Sequence, residues 1–477
     1  MTRLRPMQHV HAFRDDALGE LDGVGVGAAI AAGEISAVEA VDAALDRIDS
    51  VNSALNAVAF DDRERARKRA VDADFGMGSF AGVPSIVKNN TGFAGIPTRN
   101  GSAATPDRSA TETEPLLEQF CSTGVNVVGA STLPAFGLTA TTEFVDREPT
   151  RNPWDTDYSC GASSGGSAAL VAAGALPIAH ANDGGGSIRI PAAACGLVGF
   201  KPSRGRLLLT AESEQMPIDL IANGIVSRSV RDTAHFLADA EKFHPARDLP
   251  GTGLADTPIR RRLRVAMMTE PITGQLLDRD TENAVASVAQ LLESLGHGVE
   301  HVPVPVDRRY VDDFTEYWAL LAFFIDHFGK RSYGKEFDRS KLDAFTLGLS
   351  RKYLRRMWHT PSMMRALKRS TTAFRELFTR FDVVLSPTLA HTTPEIGYLD
   401  PAGDFDVIFD RLIRYVSFTP INNTSGTPAV SLPLAQSSTG LPIGVHFCAD
   451  LGDERTLLEL AVELEAACPF ARIQDVR

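Results

Sequence analysis

Three consecutive glycines followed by a serine, Gly184–Ser187, form the stretch with the clearest chemical potential in this sequence. They lie within H-A-N-D-G-G-G-S-I-R-I-P, which runs from 180 to 191. Glycine loses more conformational freedom on folding than any other residue, about 0.5–1 kcal/mol relative to alanine inside a helix or strand. Three glycines in a row therefore indicate a backbone that closely approaches another group, or N–H groups that must face a ligand.

Several interpretations compete for this stretch. A phosphate-binding loop would require G-x-x-x-x-G-K-[ST], and a dinucleotide-binding turn would require G-x-G-x-x-G; neither spacing is present. A plain tight turn remains possible. In the third interpretation the N–H groups of Gly184, Gly185, Gly186 and Ser187 form an oxyanion hole, and the Ser187 hydroxyl attacks an acyl carbon.

A serine hydroxyl needs a base before it can act as a nucleophile. Gly161–Gly165, G-A-S-S-G, matches the G-x-S-x-G pattern of a nucleophile elbow, which requires a strand immediately before it. The preceding stretch, 150–160, is polar and contains proline, which argues against a strand. The residues alone do not identify the base.

Longer motifs resemble those of the amidase signature family. The stretch from 161 to 206 resembles the family's signature segment, and G-V-P-S-I-V-K-N-N at 82–90 resembles its lysine-bearing strand. P-T-R-N-P-W, the late S-P-T and N-N-T-S-G-T-P-A-V-S-L-P also match, so the resemblance covers nearly all of 25–465. Within the family, these motifs are most similar to those of bacterial cyclic-dimer (nylon-oligomer) amide hydrolases and related amidases.

The resemblance implies a Ser-Ser-Lys triad. Ser187 aligns with the nucleophile, Ser163 with the bridging serine that follows a cis peptide bond, and Lys88 with the base. Neutral Lys88 would take a proton from Ser163, which takes one from Ser187 as it attacks the amide carbonyl. Asp183 and Arg189 are expected to form an ion pair that supports the loop. The resemblance implies no metal and no organic cofactor.

Some positions depart from the family's usual pattern. Asn89 stands where an aspartate commonly follows the lysine, and 129–137 replaces a segment that commonly carries lysine, asparagine and glutamate. These departures put the shape and polarity of the pocket in question. We expect pocket residues from 130–150, from helices in 310–360, and from 415–447. Cys195, inside an apolar stretch, is expected to be a small core residue.

The elements that must position these residues alternate between strand and helix, which predicts an α/β fold. With the resemblance, we expect the amidase signature fold, a large central mixed β-sheet flanked on both faces by helices, with a helical insertion. A strand should end near Lys88, and a buried helix of small residues should begin after Ser163. We expect one domain, 1–477, comprising an N-terminal helical segment (about 12–60), a signature core (about 75–210), the insertion (about 307–380), and a return to sheet (about 381–477).

Composition and charge limit the classes of partner and the cellular compartment that we expect. The chain has 477 residues and a formal charge of −12, which argues against a general nucleic-acid or anionic-membrane surface. Five scattered cysteines without C-x-x-C spacing fit a reducing compartment. The N-terminus lacks the apolar segment of a secretory signal, so we expect a cytoplasmic protein. A homodimer is plausible by analogy.

The favoured function is an amidase that hydrolyses a linear carboxylic amide, with a small-molecule amide as the substrate. Three alternatives stay open: a cyclic-amide or nylon-oligomer hydrolase, the glutaminase subunit of a tRNA-dependent amidotransferase, and a non-catalytic binding protein. The presence of Lys88, Ser163 and Ser187 argues against the last.

Overall fold

We describe a computed structural model of the chain, which covers residues 8–214 and 216–475. Its strands are β1 (Val58–Asp61), β2 (Pro84–Lys88), β3 (Asn126–Ser131), β4 (Arg151–Asn152), β5 (Asp155–Ser159), β6 (Ile178–Asp183), β7 (Val198–Lys201), β8 (Ala222–Ser227), β9 (Arg264–Met267), β10 (Gly298–His301), β11 (Val383–Pro387), β12 (Ala429–Gln436) and β13 (Pro442–Cys448).

Its helices are α1 (Gly23–Ala31), α2 (Ala37–Leu55), α3 (Arg63–Asp72), α4 (Pro115–Cys121), α5 (Gly165–Ala172), α6 (Arg189–Cys195), α7 (Ala211–Glu214), α8 (Val230–Phe243), α9 (Arg279–Ser294), α10 (Arg308–Tyr333), α11 (Ala344–Leu354), α12 (Thr360–Arg375), α13 (Phe405–Tyr415), α14 (Pro420–Ser425) and α15 (Glu454–Ala467).

The central sheet has eight strands in the order β10-β9-β11-β13-β12-β7-β8-β6. The neighbours β10, β9 and β11 are parallel, whereas the other pairs are antiparallel. The sheet is therefore mixed, with helices packed along it, and the predicted fold class is confirmed. The β6 strand, which leads into the glycine loop, lies at one end of the sheet.

A smaller sheet of three strands, in the order β1-β3-β2, carries the lysine. Its β2 strand ends at Lys88, as the sequence predicts, and all five of its residues are buried. The Lys88 backbone N–H donates to Nδ1 of His180 on β6, 3.2 Å away. This bond joins the small sheet to the edge of the large one, close to the glycine loop.

Local sequence accounts for the helices that frame the site. In α5 every residue is buried and most are glycine, alanine or serine, because a helix with small side chains can pack closely on all sides. The α2 helix begins with the capping box that Ser36 and Glu39 predict, each side chain bonding the other's backbone N–H.

The segment 307–380 is helical, as expected, with α10, α11 and α12 in that order. Its apolar residues form a second core, distinct from the one beneath the main sheet, that includes Tyr317, Leu320, Phe345, Leu349 and Leu367. This core extends to Ala429 and Cys448 of the central sheet, so the helical segment packs directly against it.

Two expectations need correction. The N-terminal segment 12–60 is not helical throughout, because helix begins only at Gly23 and the segment ends in β1, which pairs with β3. The stretch before Gly161 does contain strands, since β4 and β5 form a short antiparallel ribbon. A two-stranded ribbon tolerates polar residues and proline better than a sheet interior does, which is why its composition was misleading. Within the described residues, no helix is both long and apolar enough to cross a membrane.

Candidate active site

The Lys88 and Ser163 side chains are in direct contact. The distance from Lys88 Nζ to Ser163 Oγ is 2.7 Å, and the lysine side chain is completely buried. The peptide bond between Ala162 and Ser163 is cis, as the resemblance implies. Lys88 reaches Ser163 from the end of β2, whereas Ser163 lies just before α5, so β2 and α5 must pack together for this contact to form.

Ser187 lies in the loop between β6 and α6 and lines the same pocket as Ser163. Its carbonyl oxygen accepts a hydrogen bond from the backbone N–H of Ser164, 3.3 Å away, which fixes one serine segment against the other. Lys88 lies behind Ser163 and does not line this pocket. Ser163 and Ser187 therefore share one pocket, and the Lys88–Ser163 contact connects that pocket to the core.

The loop is shaped by the carboxylate of Asp183. Asp183 Oδ1 accepts from the backbone N–H of Gly186 at 2.7 Å, and Oδ2 accepts from that of Ile188 at 3.2 Å. The N–H groups of Gly184, Gly185 and Ser187 are not among the donors to this carboxylate. The prediction that Gly186 offers its N–H to an oxyanion therefore needs correction, because that N–H already donates to Asp183.

The three glycines differ in the space around them. A Cβ atom on Gly186, whose φ is +133°, would lie 2.4 Å from Thr419 Oγ1, so this position requires glycine. A Cβ on Gly184 would meet only Ile221 at 3.8 Å, and one on Gly185 only Phe314 at 3.5 Å and 3.9 Å. Gly184 and Gly185 both line the pocket, so a side chain there would occupy pocket space rather than core.

Asp183 and Arg189 form the expected ion pair, and both side chains are completely buried. Arg189 Nε donates to Oδ2 and its NH2 group to Oδ1, each at 2.9 Å. The Arg189 guanidinium contributes to holding the pKa of Asp183 well below its ordinary value, against the effect of burial. Asn423 of α14 donates to the Asp183 carboxylate at 2.9 Å and accepts from Arg189 at 2.8 Å. The N-N-T-S-G motif therefore supports the glycine loop through hydrogen bonds to the Asp183–Arg189 ion pair.

Apolar side chains line most of the pocket, whose cavity is about 150 Å³. They come from four parts of the chain: Phe136, Leu138 and Ala140 after β3; Ile190, Met216, Leu220 and Ile221 around the glycine loop; Ile272; and Tyr310, Val311, Phe314, Trp318, Leu321, Ile325, Leu412, Ile413, Val416 and Pro420 from the later helices. No aspartate, glutamate, lysine, arginine or histidine is among the described residues that line it.

Some pocket residues lie where the sequence predicts and others do not. The ranges 130–150 and 310–360 contribute, but nothing beyond Pro420 in 415–447 lines the pocket. Sequence reasoning missed Met216, Leu220, Ile221, Ile272 and Thr273, which lie in loops with no motif to mark them. It also missed Asn182, whose Oδ1 lies 2.6 Å from Lys88 Nζ, although this residue is next to Asp183 in the quoted motif.

The residues that depart from the family pattern have defined places. Asn89 faces away from the pocket, donating to Pro97 O at 2.7 Å and accepting from the Arg99 N–H at 2.8 Å. Phe136 and Gly137, in the segment 129–137, line the pocket, so that departure does alter its shape. Cys195 is completely buried, as expected, and burial raises the pKa of its thiol well above the ordinary value. Among residues 8–214 and 216–475, no cluster of three histidine, cysteine or acidic side chains is arranged for a metal ion.

Comparison with known proteins places the chain in a family. A sequence profile named Amidase matches residues 39–458. The Mycobacterium leprae protein named "Putative amidase AmiC" is 48% identical over 98% of this chain and 99% of its own length. The 6-aminohexanoate-cyclic-dimer hydrolase of Paenarthrobacter ureafaciens is 31% identical over 92% of this chain and 93% of its own.

A solved structure agrees with this placement. The structure of 6-aminohexanoate cyclic dimer hydrolase complexed with substrate superposes with a TM-score of 0.86 at 28% identity, over 95% of this chain and 98% of that one. The profile and the relatives span both the signature segment and the helical part. The chain therefore belongs to the amidase signature family, whose members include hydrolases of carboxylic amides.

Proposed function

We propose that this protein hydrolyses an uncharged carboxylic amide through an acyl-serine intermediate, with Ser187 as nucleophile, Ser163 as proton relay and Lys88 as base. The observation that supports this most strongly is the 2.7 Å contact between Lys88 Nζ and Ser163 Oγ, next to a pocket that Ser163 and Ser187 line together. A completely buried lysine in contact with a pocket serine has little structural purpose, because burying a charged group costs free energy.

In the first half-reaction, the Ser187 oxygen forms a bond to the carbonyl carbon and its proton passes to Ser163, whose own proton passes to neutral Lys88. The C–N bond then breaks, and the protons return along the same path to the departing nitrogen. Water attacks the acyl-serine in the second half-reaction, releasing the carboxylic acid and restoring the Ser187 hydroxyl. The N–H groups of Gly184, Gly185 and Ser187 are the candidates to stabilise the oxyanion.

The pocket supports an uncharged and largely apolar substrate. Its lining has hydroxyl and amide groups near Ser163 and Ser187 and apolar side chains elsewhere. Free glutamine carries an ammonium and a carboxylate, and burying either without a charged partner is costly. The glutaminase alternative is therefore disfavoured, whereas an apolar linear amide fits.

A cyclic amide is the second candidate. The relative from Paenarthrobacter ureafaciens is named as a hydrolase of 6-aminohexanoate cyclic dimer, and its name describes a substrate without charged ends. A pocket lined without charged residues suits such a ring as well as a linear amide. Measuring turnover of a linear amide and a cyclic diamide of equal carbon number, with the same preparation, separates these two substrates.

The test of the mechanism is labelling with a fluorophosphonate, followed by mass-spectrometric mapping and a Ser187→Ala variant. We expect the adduct on Ser187, no adduct in Lys88→Ala, and loss of turnover by a factor of about 10³ or more in Ser187→Ala with an unchanged thermal midpoint. Ser294→Ala, a change at an exposed serine of α9, should label and turn over like the parent. An adduct on Ser163, or parent-level turnover in Ser187→Ala, would reject the assignment.

A further inference from the structure

Asn182 is placed against the candidate base in a way that neither the triad nor the loop explains. It is the penultimate residue of β6 and is 6% exposed. Its Oδ1 lies 2.6 Å from Lys88 Nζ, and Ser163 Oγ lies 2.7 Å from the same nitrogen. Lys88 Nζ therefore has two oxygen neighbours at hydrogen-bonding distance, one from each strand-end segment.

The amide of Asn182 is held in one orientation. Its Nδ2 donates to Asn90 Oδ1 at 3.1 Å, which leaves Oδ1 directed to Lys88. The backbone on both sides of the side chain is also fixed, because Ser164 Oγ donates to the Asn182 carbonyl at 3.2 Å and accepts from its N–H at 3.4 Å. An amide oxygen can only accept a hydrogen bond. Asn182 therefore binds a hydrogen of Lys88 in both protonation states of the amine.

The hydrogen bond to Asn182 restricts the neutral amine of Lys88, which has two N–H bonds and one lone pair. With one N–H engaged by Asn182, rotation of the amine about its Cε–Nζ bond is restricted, and the lone pair is able to face the Ser163 hydroxyl. An amide also carries no net charge. A carboxylate at the same distance would stabilise the ammonium form and so oppose its deprotonation.

We propose that Asn182 is a positioning residue for Lys88, which orients the amine toward Ser163 and, by being neutral, leaves Lys88 able to lose its proton. This inference rests on the proposed function, because it acts through the Lys88–Ser163 relay. Asn90 takes part by fixing the Asn182 amide. Both asparagines line the pocket at its polar end, beside Ser163 and Ser187.

Several ionisable groups lie on the elements that pack against β2. On β6, the imidazole of His180 accepts from the Lys88 backbone N–H, and burial together with Lys88 lowers its pKa to about 3, so it is neutral in the working range. Asp183 is paired with Arg189. The β3 strand and α5 carry no ionisable side chain. The charged side chains of α2, which also contacts β2, each have a partner other than Lys88: Glu39, Asp42, Asp46, Arg47 and Asp49.

The test compares Asn182→Asp and Asn182→Ala with the parent in the pH profile of kcat and of kcat/KM for one uncharged amide. Asn182→Asp changes one amide group to a carboxylate of the same shape. We expect the midpoint of its rising limb to move up by about one pH unit or more, so that turnover near pH 7 falls about tenfold and recovers at higher pH. Asn182→Ala should lower kcat about tenfold or more without that upward shift and with little change in KM.

The matched control is Asn223→Ala on β8, a buried asparagine that pairs in register with Asn182 across the sheet. Its profile should coincide with the parent's, and thermal midpoints are measured for all variants. An unchanged midpoint of the pH profile in Asn182→Asp rejects the inference, and so does parent-level kcat in Asn182→Ala. Ser187→Ala is measured alongside: if it retains parent-level turnover, the catalytic assignment itself fails, whereas its inactivity together with an unshifted Asn182→Asp profile rejects only the role of Asn182.

Discussion

At the scale of single residues, the glycines of the loop differ in whether they can accommodate a side chain. A methyl group at Gly186 would meet Thr419 Oγ1 at 2.4 Å and Ile190 Cδ1 at 2.7 Å, with φ at +133°. We expect Gly186→Ala to lower the free energy of unfolding by about 1–3 kcal/mol, because the side chain is both crowded and forced into an unfavourable backbone region. Urea denaturation measures this change.

Gly184→Ala provides the contrast within the same loop. Its added methyl would have only Ile221 nearby, at 3.8 Å, and would project into the pocket. We expect its unfolding free energy to stay within about 0.5 kcal/mol of the parent while kcat/KM falls, since the methyl occupies substrate space. Equal loss of stability in both variants would contradict this account of the loop.

At the scale of elements, a buried carboxyl attaches α1 to α8. Asp232 accepts from the backbone N–H groups of Gly23 at 2.9 Å and Val24 at 2.8 Å, the first residues of α1. Burial, and secondly the nearby charge of Asp22, raise the pKa of Asp232 to about 7. The carboxyl has a pKa of about 3.9 when unfolded, so the folded state binds its proton more tightly.

The raised pKa of Asp232 determines how the free energy of unfolding changes with pH. The proton's contribution to stability is fully present below about pH 4 and is lost as the pH rises through about 7. We therefore expect the unfolding free energy of the parent minus that of Asp232→Asn to fall as the pH is raised from 5 to 8, because only the parent loses this contribution. Urea denaturation at several pH values measures this difference. Taking the difference removes the pH dependence that comes from groups present in both proteins, such as Glu465. Parallel pH dependences in the two proteins would rule out this role.

At the scale of the whole molecule, the pocket lies where the helical segment meets the sheet loops. Phe314 of α10 would be 3.5 Å from a Cβ on Gly185 and stacks on Tyr310 with ring centroids 6.1 Å apart. We expect Phe314→Ala to raise kcat/KM for amides with bulky groups relative to small ones, because the ring limits the space beside the loop. Turnover of an amide series of increasing size measures the ratio.

Phe324→Ala is the control for this change, since Phe324 lies on the same helix, is 44% exposed and lines no part of the pocket. Its selectivity should equal that of the parent. Phe314→Ala is also expected to destabilise the fold by about 3–5 kcal/mol, the usual cost of removing a buried ring, so activities are compared well below the thermal midpoint. An unchanged size ratio in Phe314→Ala would show that other residues set the limit.

The sequence by itself determined the family, the fold class and the identity of the residues proposed for catalysis. It did so because the signature segment is long, and because its glycines, paired serines and strand-end lysine stand at recognisable spacings in the sequence. Local signals were equally direct for the Ser36–Glu39 capping box and for the small-residue helix α5. Polar strands such as β4 and β5, and the irregular segment before Gly23, were misjudged because their composition lacks the usual periodicity.

Only the tertiary structure decided which groups meet across long separations in the chain. The Oδ1 of Asn182 reaches Lys88 Nζ because the small sheet docks on β6, a contact between residues 94 positions apart. The packing of distant segments also placed Phe314 of α10 beside Gly185. Side-chain types and spacing specify what chemistry a residue can perform, but its partners, its free hydrogen-bonding groups and the shape of the pocket depend on packing between segments that no local pattern encodes.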